Sequence, residues 1–455
     1  MNRPAIDSFR TEWWRPVFAG QTMVGEAPGK RNSAVPFWAL IGFTFILLIA
    51  PQTYLPQLNS LRPALLMAVV AITAYLFDQW IHRRPVLKLT REMWIIVCLV
   101  GWAIITTPFS RWVGGSISVL TDSYFKTLVV FWLVCATVNS LARLHQIIWG
   151  LTLMGIPIAA TAVKHYLSGN LVPGLERING YEAGLTANPN DLALMVNLIF
   201  PLTMALLIGS RKPGTRLALM IILFLDILAV IVTFSRGGFI ALATLFVIYL
   251  WKLRGRFGRK WIIAVFITAL VCMPLLPSAY WDRLSTTVHV DSDPTGSAQE
   301  RWHTMMAAVI YVLKHPIVGA GIGMDVLAMN EERGVSWTEV HNVYLQYAVD
   351  LGIPGLILFL LLLVTCIRSA ARVQRLSARI PALRELFFVS EGVQISLLVF
   401  SVSAMFHPVA YQLYFYYMAG LAVAVRAVYE IERAHAAGSD HAVACDEDER
   451  VAYAQ

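Results

Sequence analysis

Apolar residues along this chain fall in blocks of about 17–25, the length needed to cross roughly 30 Å of hydrocarbon. Length and apolarity give about twelve spans: 36–54, 61–80, 93–109, 124–142, 145–166, 191–210, 215–234, 236–252, 260–280, 342–366, 388–407 and 411–430. The blocks are apolar all round, whereas a helix on the surface of a soluble protein carries one apolar stripe. The pattern predicts an all-α polytopic membrane protein of about 12 transmembrane helices. Its finest boundary lies between the seventh and eighth spans, where only Ser235-Arg236 interrupts the run.

One long polar interruption, residues 281–341, predicts a single large outside loop. Within it Ser297-Ala-Gln-Glu300 reads as a capping box, in which a serine oxygen meets the first-turn amides and a glutamate reaches back. Trp302, Met305, Met306, Val309 and Leu313 follow at helical spacing, an amphipathic helix suited to the membrane surface. Ser336-Trp-Thr-Glu339 is a second box, expected to start the tenth span and so to place His341 in its first turns. The organisation expected is a cytoplasmic N-terminal segment (1–35), a membrane domain (36–433) and a disordered, acidic cytoplasmic tail (434–455).

Composition narrows the class. Hydrophobic residues are 57% of the chain and charged residues 14%, against about 45–50% and 25% in soluble domains. The net charge of +8 raises the question of nucleic acid, but the basic residues sit in short loops between apolar blocks. Their alternation is the positive-inside pattern and sets both termini in the cytoplasm. Arg111, Arg177, Arg236, Arg283, Arg301, Lys314 and Arg333 fall on the outside against that bias, so each needs another reason. Cys98, Cys135, Cys272, Cys366 and Cys445 have neither disulfide nor metal spacing. The first apolar block starts only near Pro36, so no cleavable signal peptide is expected.

The chemistry-bearing residues gather at the outside ends of the spans. His341, at a helix start that disfavours imidazolium, is able as a neutral base to accept a proton from a hydroxyl; an interfacial histidine bonded to the backbone is the plainer alternative. Arg236, in Thr233-Phe-Ser-Arg-Gly-Gly238, suits a bidentate anion contact with glycines allowing close approach, or snorkelling to headgroups. Arg301 follows a helix start that favours anions; it is otherwise a solvated charge. Asn188-Pro-Asn-Asp191 is a complete helix start in its own right. Asp226 and Asp350 lie inside spans, where a carboxyl is either functional or paired between helices. Gly319-Ala-Gly-Ile-Gly323 has no preceding strand and does not qualify as a nucleotide loop. Asp291-Ser-Asp293 is a weak candidate for a metal, and no ATP-binding Gly-x-x-x-x-Gly-Lys motif occurs.

Taken together, Ser235-Arg-Gly-Gly238, Glu300-Arg-Trp302, His315-Pro-Ile-Val-Gly-Ala-Gly321, His341-Asn-Val-Tyr-Leu-Gln346 and Gly352-Ile-Pro-Gly355 resemble the O-antigen ligase/polymerase superfamily of bacterial inner-membrane proteins. The Asn188-Pro-Asn190 start resembles it too, and the motifs lie within residues 186–360. The resemblance implies that a glycan leaves undecaprenyl pyrophosphate and joins an acceptor hydroxyl on the periplasmic side, the acceptor being a glycan, a lipid core or a protein. It implies His341 as base or acceptor-orienting residue and Arg236 and Arg301 as holders of the pyrophosphate. Asn188, Asn190, Asn342 and Tyr344 are possible supports. No metal and no cofactor are expected, and membrane lipids but no nucleic acid are expected partners. On this reading the polar face of the 298–313 helix offers Arg301, Thr304 and Tyr311 to sugar, and the short loop leans towards polymerase. Two other classes fit the spans: a secondary transporter, for which no internal repeat is found, and a noncatalytic scaffold of envelope assembly.

Overall fold

The computed structural model of the protein describes residues 33–86, 89–172, 177–181, 184–254, 297–334 and 337–453. The expected ninth span (260–280), Arg283, the Asp291–Asp293 triplet and most of the N-terminal segment lie outside the described residues.

The architecture is almost wholly helical: α1 (Val35–Ile49), α2 (Pro63–Ile81), α3 (Arg91–Thr106), α4 (Val113–Ser118), α5 (Phe125–Thr137), α6 (Leu141–Leu167), α7 (Pro189–Gly209), α8 (Pro213–Val232), α9 (Arg236–Leu253), α10 (Ser297–Lys314), α11 (Asp325–Arg333), α12 (Val343–Ser377), α13 (Arg384–Ser403) and α14 (Leu413–Tyr453). A π-helical stretch, Val119–Tyr124, joins α4 to α5. The exception is a two-stranded antiparallel hairpin, β1 (Leu171–Val172) with β2 (Arg177–Ile178). Eight helical stretches among the described residues are long and apolar enough to cross a membrane. Large apolar side chains such as Trp80, Phe224, Val247 and Ile357 stand exposed on the outside of the bundle, as lipid-facing positions do. Expected tail residues 434–453 continue the α14 helix.

Helix starts follow local chemistry. Thr90 and Ser140 accept from the amides of Met93 and Arg143, each meeting an orphan donor of the first turn. The centre of the bundle is formed by α7 and α13. Of their apolar windows 78% is buried, against 22% for α2 at the periphery. α13 packs on α7, α9, α12 and α14, and α7 also packs on α6, α8 and α9.

α12 is interrupted at Gly352, with φ 69° and ψ −176°. The broken turn is answered by protein groups. Ala320 N donates to Val349 O at 2.7 Å, Gly321 N to Asp350 O at 2.8 Å and Ile353 N to Pro316 O at 2.8 Å, and Trp102 Nε1 donates to Leu351 O at 2.8 Å. The Asp350 carboxylate accepts from Gly323 N and Met324 N, both at 3.0 Å, and from the Tyr411 hydroxyl at 3.0 Å. The glycine-rich 319–323 segment is thus a plug for the α12 break, and Asp350 is its anchor. α10 and α11 are carried on it as a cap, which Arg111 secures through Tyr311 Oη at 3.1 Å and Glu331 at 3.1 Å.

A Cβ on residue 352 would collide with the Ile317 carbonyl, and the left-handed conformation alone costs a non-glycine residue about 1–2 kcal/mol. Gly352→Ala should therefore lower the thermal unfolding temperature of the purified protein in detergent. Gly214→Ala, whose Cβ meets nothing within 4 Å, should leave it unchanged or raised; equal melting of the two variants would contradict this account of the break.

Candidate functional site

The site forms where helix ends meet. Asn188 caps α7, its Oδ1 accepting from Asn190 N at 2.9 Å, with Pro189 first in the helix and Asp191 in its first turn, as expected. Arg177, on β2, donates through Nη2 to Asn190 Oδ1 at 2.6 Å and through Nε to Thr233 O at 3.5 Å. It ties the hairpin to the start of α7 and the end of α8.

The α8–α9 turn is as tight as Thr233-Phe-Ser-Arg suggests. Phe234 takes a left-handed φ of 52°, and Ser235 caps α9 by accepting from Gly238 N at 3.1 Å. Arg236 is then the first residue of α9, half-buried at this end of the bundle. The two glycines after it admit protein, not a ligand. A Cβ on Gly237 would lie 2.8 Å from Phe406 Cβ and 3.5 Å from His407 Cε1, and one on Gly238 2.6 Å from Ala193 Cβ.

His341 stands just before α12 and not within its first turns. Asn342 caps that helix, accepting from the amides of Tyr344 at 3.0 Å and Leu345 at 3.1 Å, while Ser336 lies outside the described residues. The asparagine immediately before the apolar run meets the orphan donors, so the helix starts at Val343. Val343 N donates to Ala404 O at 2.7 Å and Tyr344 Oη to Ser401 O at 2.6 Å. Asn342 and Tyr344 therefore fix the α12 start against the end of α13. His341 Nδ1 lies 2.9 Å from Glu339 O. A carbonyl only accepts, so Nδ1 carries the hydrogen and the neutral ring presents Nε2 with its lone pair. Burial first, then the Arg301 and His407 charges, lower the His341 pKa, opposed by the bond to Glu339.

Arg301, on α10, is the residue that joins the two histidines electrostatically, since its charge bears on both His341 and His407. His407, in the α13–α14 turn, is a site residue that sequence reasoning missed. It is 2% exposed, with Nδ1 2.8 Å from Ser403 O and Nε2 3.1 Å from Asn190 O. Only an imidazolium donates to both carbonyls, yet burial, with Arg301 and Arg177 adding to it, lowers its pKa. No motif marks it, because its role depends on α7 and α13 meeting across a distant stretch of chain.

The α10 helix corrects a further expectation. Thr304 and Tyr311 are buried against α11 and α12, not offered to sugar. The small residues Ala307 and Ala308 let that face approach closely, while Trp302, Met306, Val309, Ile310 and Leu313 remain exposed. Glu300 forks to Arg333 at 2.6 and 3.0 Å, and Lys314 pairs with Glu332 at 2.8 Å. The outside cations Arg111, Arg177, Lys314 and Arg333 thus have partners that hold the cap and hairpin. Asp226, on α8, is 1% exposed, and its Oδ2 has no protein partner among the described residues.

Residues 219–360 match the model of the family described as O-Antigen ligase. No curated protein matches the chain. The matched segment runs from the middle of α8 to the middle of α12 and contains Arg236, Arg301 and His341; Arg177, Asn190 and His407 reach the same end of the bundle from outside it. The chain is a multi-pass helical membrane protein that carries, at residues 219–360, a segment similar to the O-antigen ligase family, which supports a function in membrane glycan transfer.

Proposed function

We propose that the protein transfers a glycan from undecaprenyl pyrophosphate to an acceptor hydroxyl at the periplasmic face of the bacterial inner membrane. The observation that carries this reading is the Glu339–His341 contact, which leaves Nε2 of a neutral imidazole as a proton acceptor between helix ends that also bear Arg236 and Arg301. The acceptor oxygen attacks the anomeric carbon as His341 Nε2 takes its proton. The bond from that carbon to the pyrophosphate oxygen breaks, and the negative charge it releases is met by the two guanidiniums. Proton loss from His341 to solvent completes the cycle. No step needs a metal or a cofactor. A noncatalytic scaffold or a transporter would place no such demand on His341.

His341→Ala should abolish transfer while membrane insertion and protein level stay normal. Arg236→Ala and Arg301→Ala should each slow turnover by about 10²–10³, the usual loss for one placed electrostatic donor. Lysine should rescue only partly, because a point charge does not reproduce the guanidinium fork. With the lowered His341 pKa, kcat/KM should rise with pH along a limb centred below the ordinary histidine value of about 6.5. Near-normal turnover by His341→Ala would sink the proposal.

Orientation has its own test. The first loop and the site share one end of the bundle, since Tyr181 Oη donates to Ile49 O at 3.1 Å. A cysteine at Gln57 should react with an impermeant maleimide on intact spheroplasts, and one at Lys212, beyond the opposite end of α7, should not. Labelling at 212 instead would invert the protein and remove the periplasmic site.

Polymerase and ligase differ in the acceptor alone, and the residues gathered here serve both. We favour a polymerase, the cap being small and without a separate acceptor-binding domain among the described residues. A deletion strain should then accumulate single repeat units. Long polymer left on undecaprenyl pyrophosphate would instead assign the chain as a ligase.

A further inference from the structure

A second acidic group lies one peptide away from His341. Asp325, at the start of α11, is 3% exposed, and its Oδ2 accepts from Val340 N at 2.8 Å. The carbonyl of the same peptide group, Glu339 O, is the acceptor of His341 Nδ1–H at 2.9 Å. The peptide plane between residues 339 and 340 is thus gripped at both ends, by a carboxylate on its N–H and by the imidazole on its C=O.

We propose that Asp325 is the positioning residue of His341, acting through this peptide group. A carboxylate bonded directly to a histidine Nδ1–H fixes the tautomer and stabilises the imidazolium that forms during proton transfer. Here an amide is interposed. Accepting from Val340 N–H, the carboxylate polarises the peptide, makes Glu339 O a stronger acceptor and so makes Nε2 more basic, as chained hydrogen bonds do in a site of low dielectric. The alignment also survives in the absence of substrate, because α11 packs on α10 and the two are held to the α12 break.

The charges around the pair are compatible with this. Burial raises the Asp325 carboxyl to about 6, with Glu339 adding to the rise and Val340 N–H and the Gln346 side chain opposing it. It is therefore ionised at neutral pH. Asp350 is the other carboxyl facing it, while Arg301 and His407 face His341 and, after burial, disfavour its protonation. Asp325 is the acid set against them. It offsets part of the penalty that the neighbouring cations impose on a base that must become positive.

The test needs no glycan, so it separates this inference from the transferase reading on which its catalytic consequence rests. Diethyl pyrocarbonate acylates only neutral imidazole, so the reaction is run at pH 8 with the exposed His303 as internal reference. In full-length protein in detergent, Asp325→Asn should slow carbethoxylation of His341 relative to His303, followed by mass spectrometry. The expected factor is about three, because nucleophilicity falls with basicity along a Brønsted slope of about 0.4–0.5. Asp325→Ser, equally uncharged, serves where the asparagine variant accumulates poorly. A purely structural role predicts the opposite sign, because a loosened 337–342 segment exposes His341 and speeds its modification. An unchanged or increased rate overturns the inference, whatever the turnover of His341→Ala shows about glycan transfer.

Discussion

The backbone cannot be left unpaired in an apolar medium, and the break in α12 shows that constraint governing the rest of the molecule. Each buried amide or carbonyl without a partner costs several kcal/mol in hydrocarbon. At Gly352 the carbonyls of Val349, Asp350 and Leu351 and the amide of Ile353 all find partners in other segments. Those partners are not incidental. They are the 316–321 segment that carries the cap and the α3 helix that borders it. Pairing the broken turn therefore also fixes where α10 and α11 sit, and with them Arg301 and the peptide that orients His341.

The same economy explains how cations accumulate at one end of a bundle without scattering it. Arg333 and Lys314 meet Glu300 and Glu332 within the cap. Arg111 reaches the cap from the α3–α4 turn, and Arg177 reaches Asn190 and Thr233 from the hairpin. Exposed pairs of this kind contribute little each, but they fix geometry where several elements end. At the other end of α3, Arg426 forks to Glu92 at 2.8 and 2.9 Å, with Glu92 fully buried. There the pairing joins α3 to α14 and keeps a buried charge from standing uncompensated.

Much of this was legible in the chain because helix starts and apolar length are local. Asn188-Pro-Asn-Asp191 begins α7 and Ser235-Arg236 begins α9 where the residues say. The resemblance motifs pointed to the family whose model matches residues 219–360, and the roles they imply for Arg236, Arg301 and His341 remain those of the proposal. What misled was the start of α12: Asn342 stands immediately before the apolar run, and the contacts of Val343 with Ala404 and of Tyr344 with Ser401 hold the helix start there. Helical periodicity likewise separated the two faces of α10 correctly but not which one turns to the protein. The apolar face stands exposed, as suits a membrane surface, whereas the face expected to meet sugar is the one that packs, with Ala307 and Ala308 letting it approach. His407 and Asp325 act through segments distant in sequence or through a single peptide group, and neither leaves a local pattern.

The outward face of α10 has a consequence for what counts as the folded protein. Trp302, Met306, Val309, Ile310 and Leu313 stand exposed among the described residues, and complete burial of such a side chain is worth about 1.5–3 kcal/mol. Arg301 sits one residue before this stripe on the same rigid rod. Acyl chains or headgroups against the stripe thus act as a missing wall of the tertiary structure. The depth at which the guanidinium rides is then a property of lipid and sequence jointly, and bilayer thickness becomes a variable of the site's geometry.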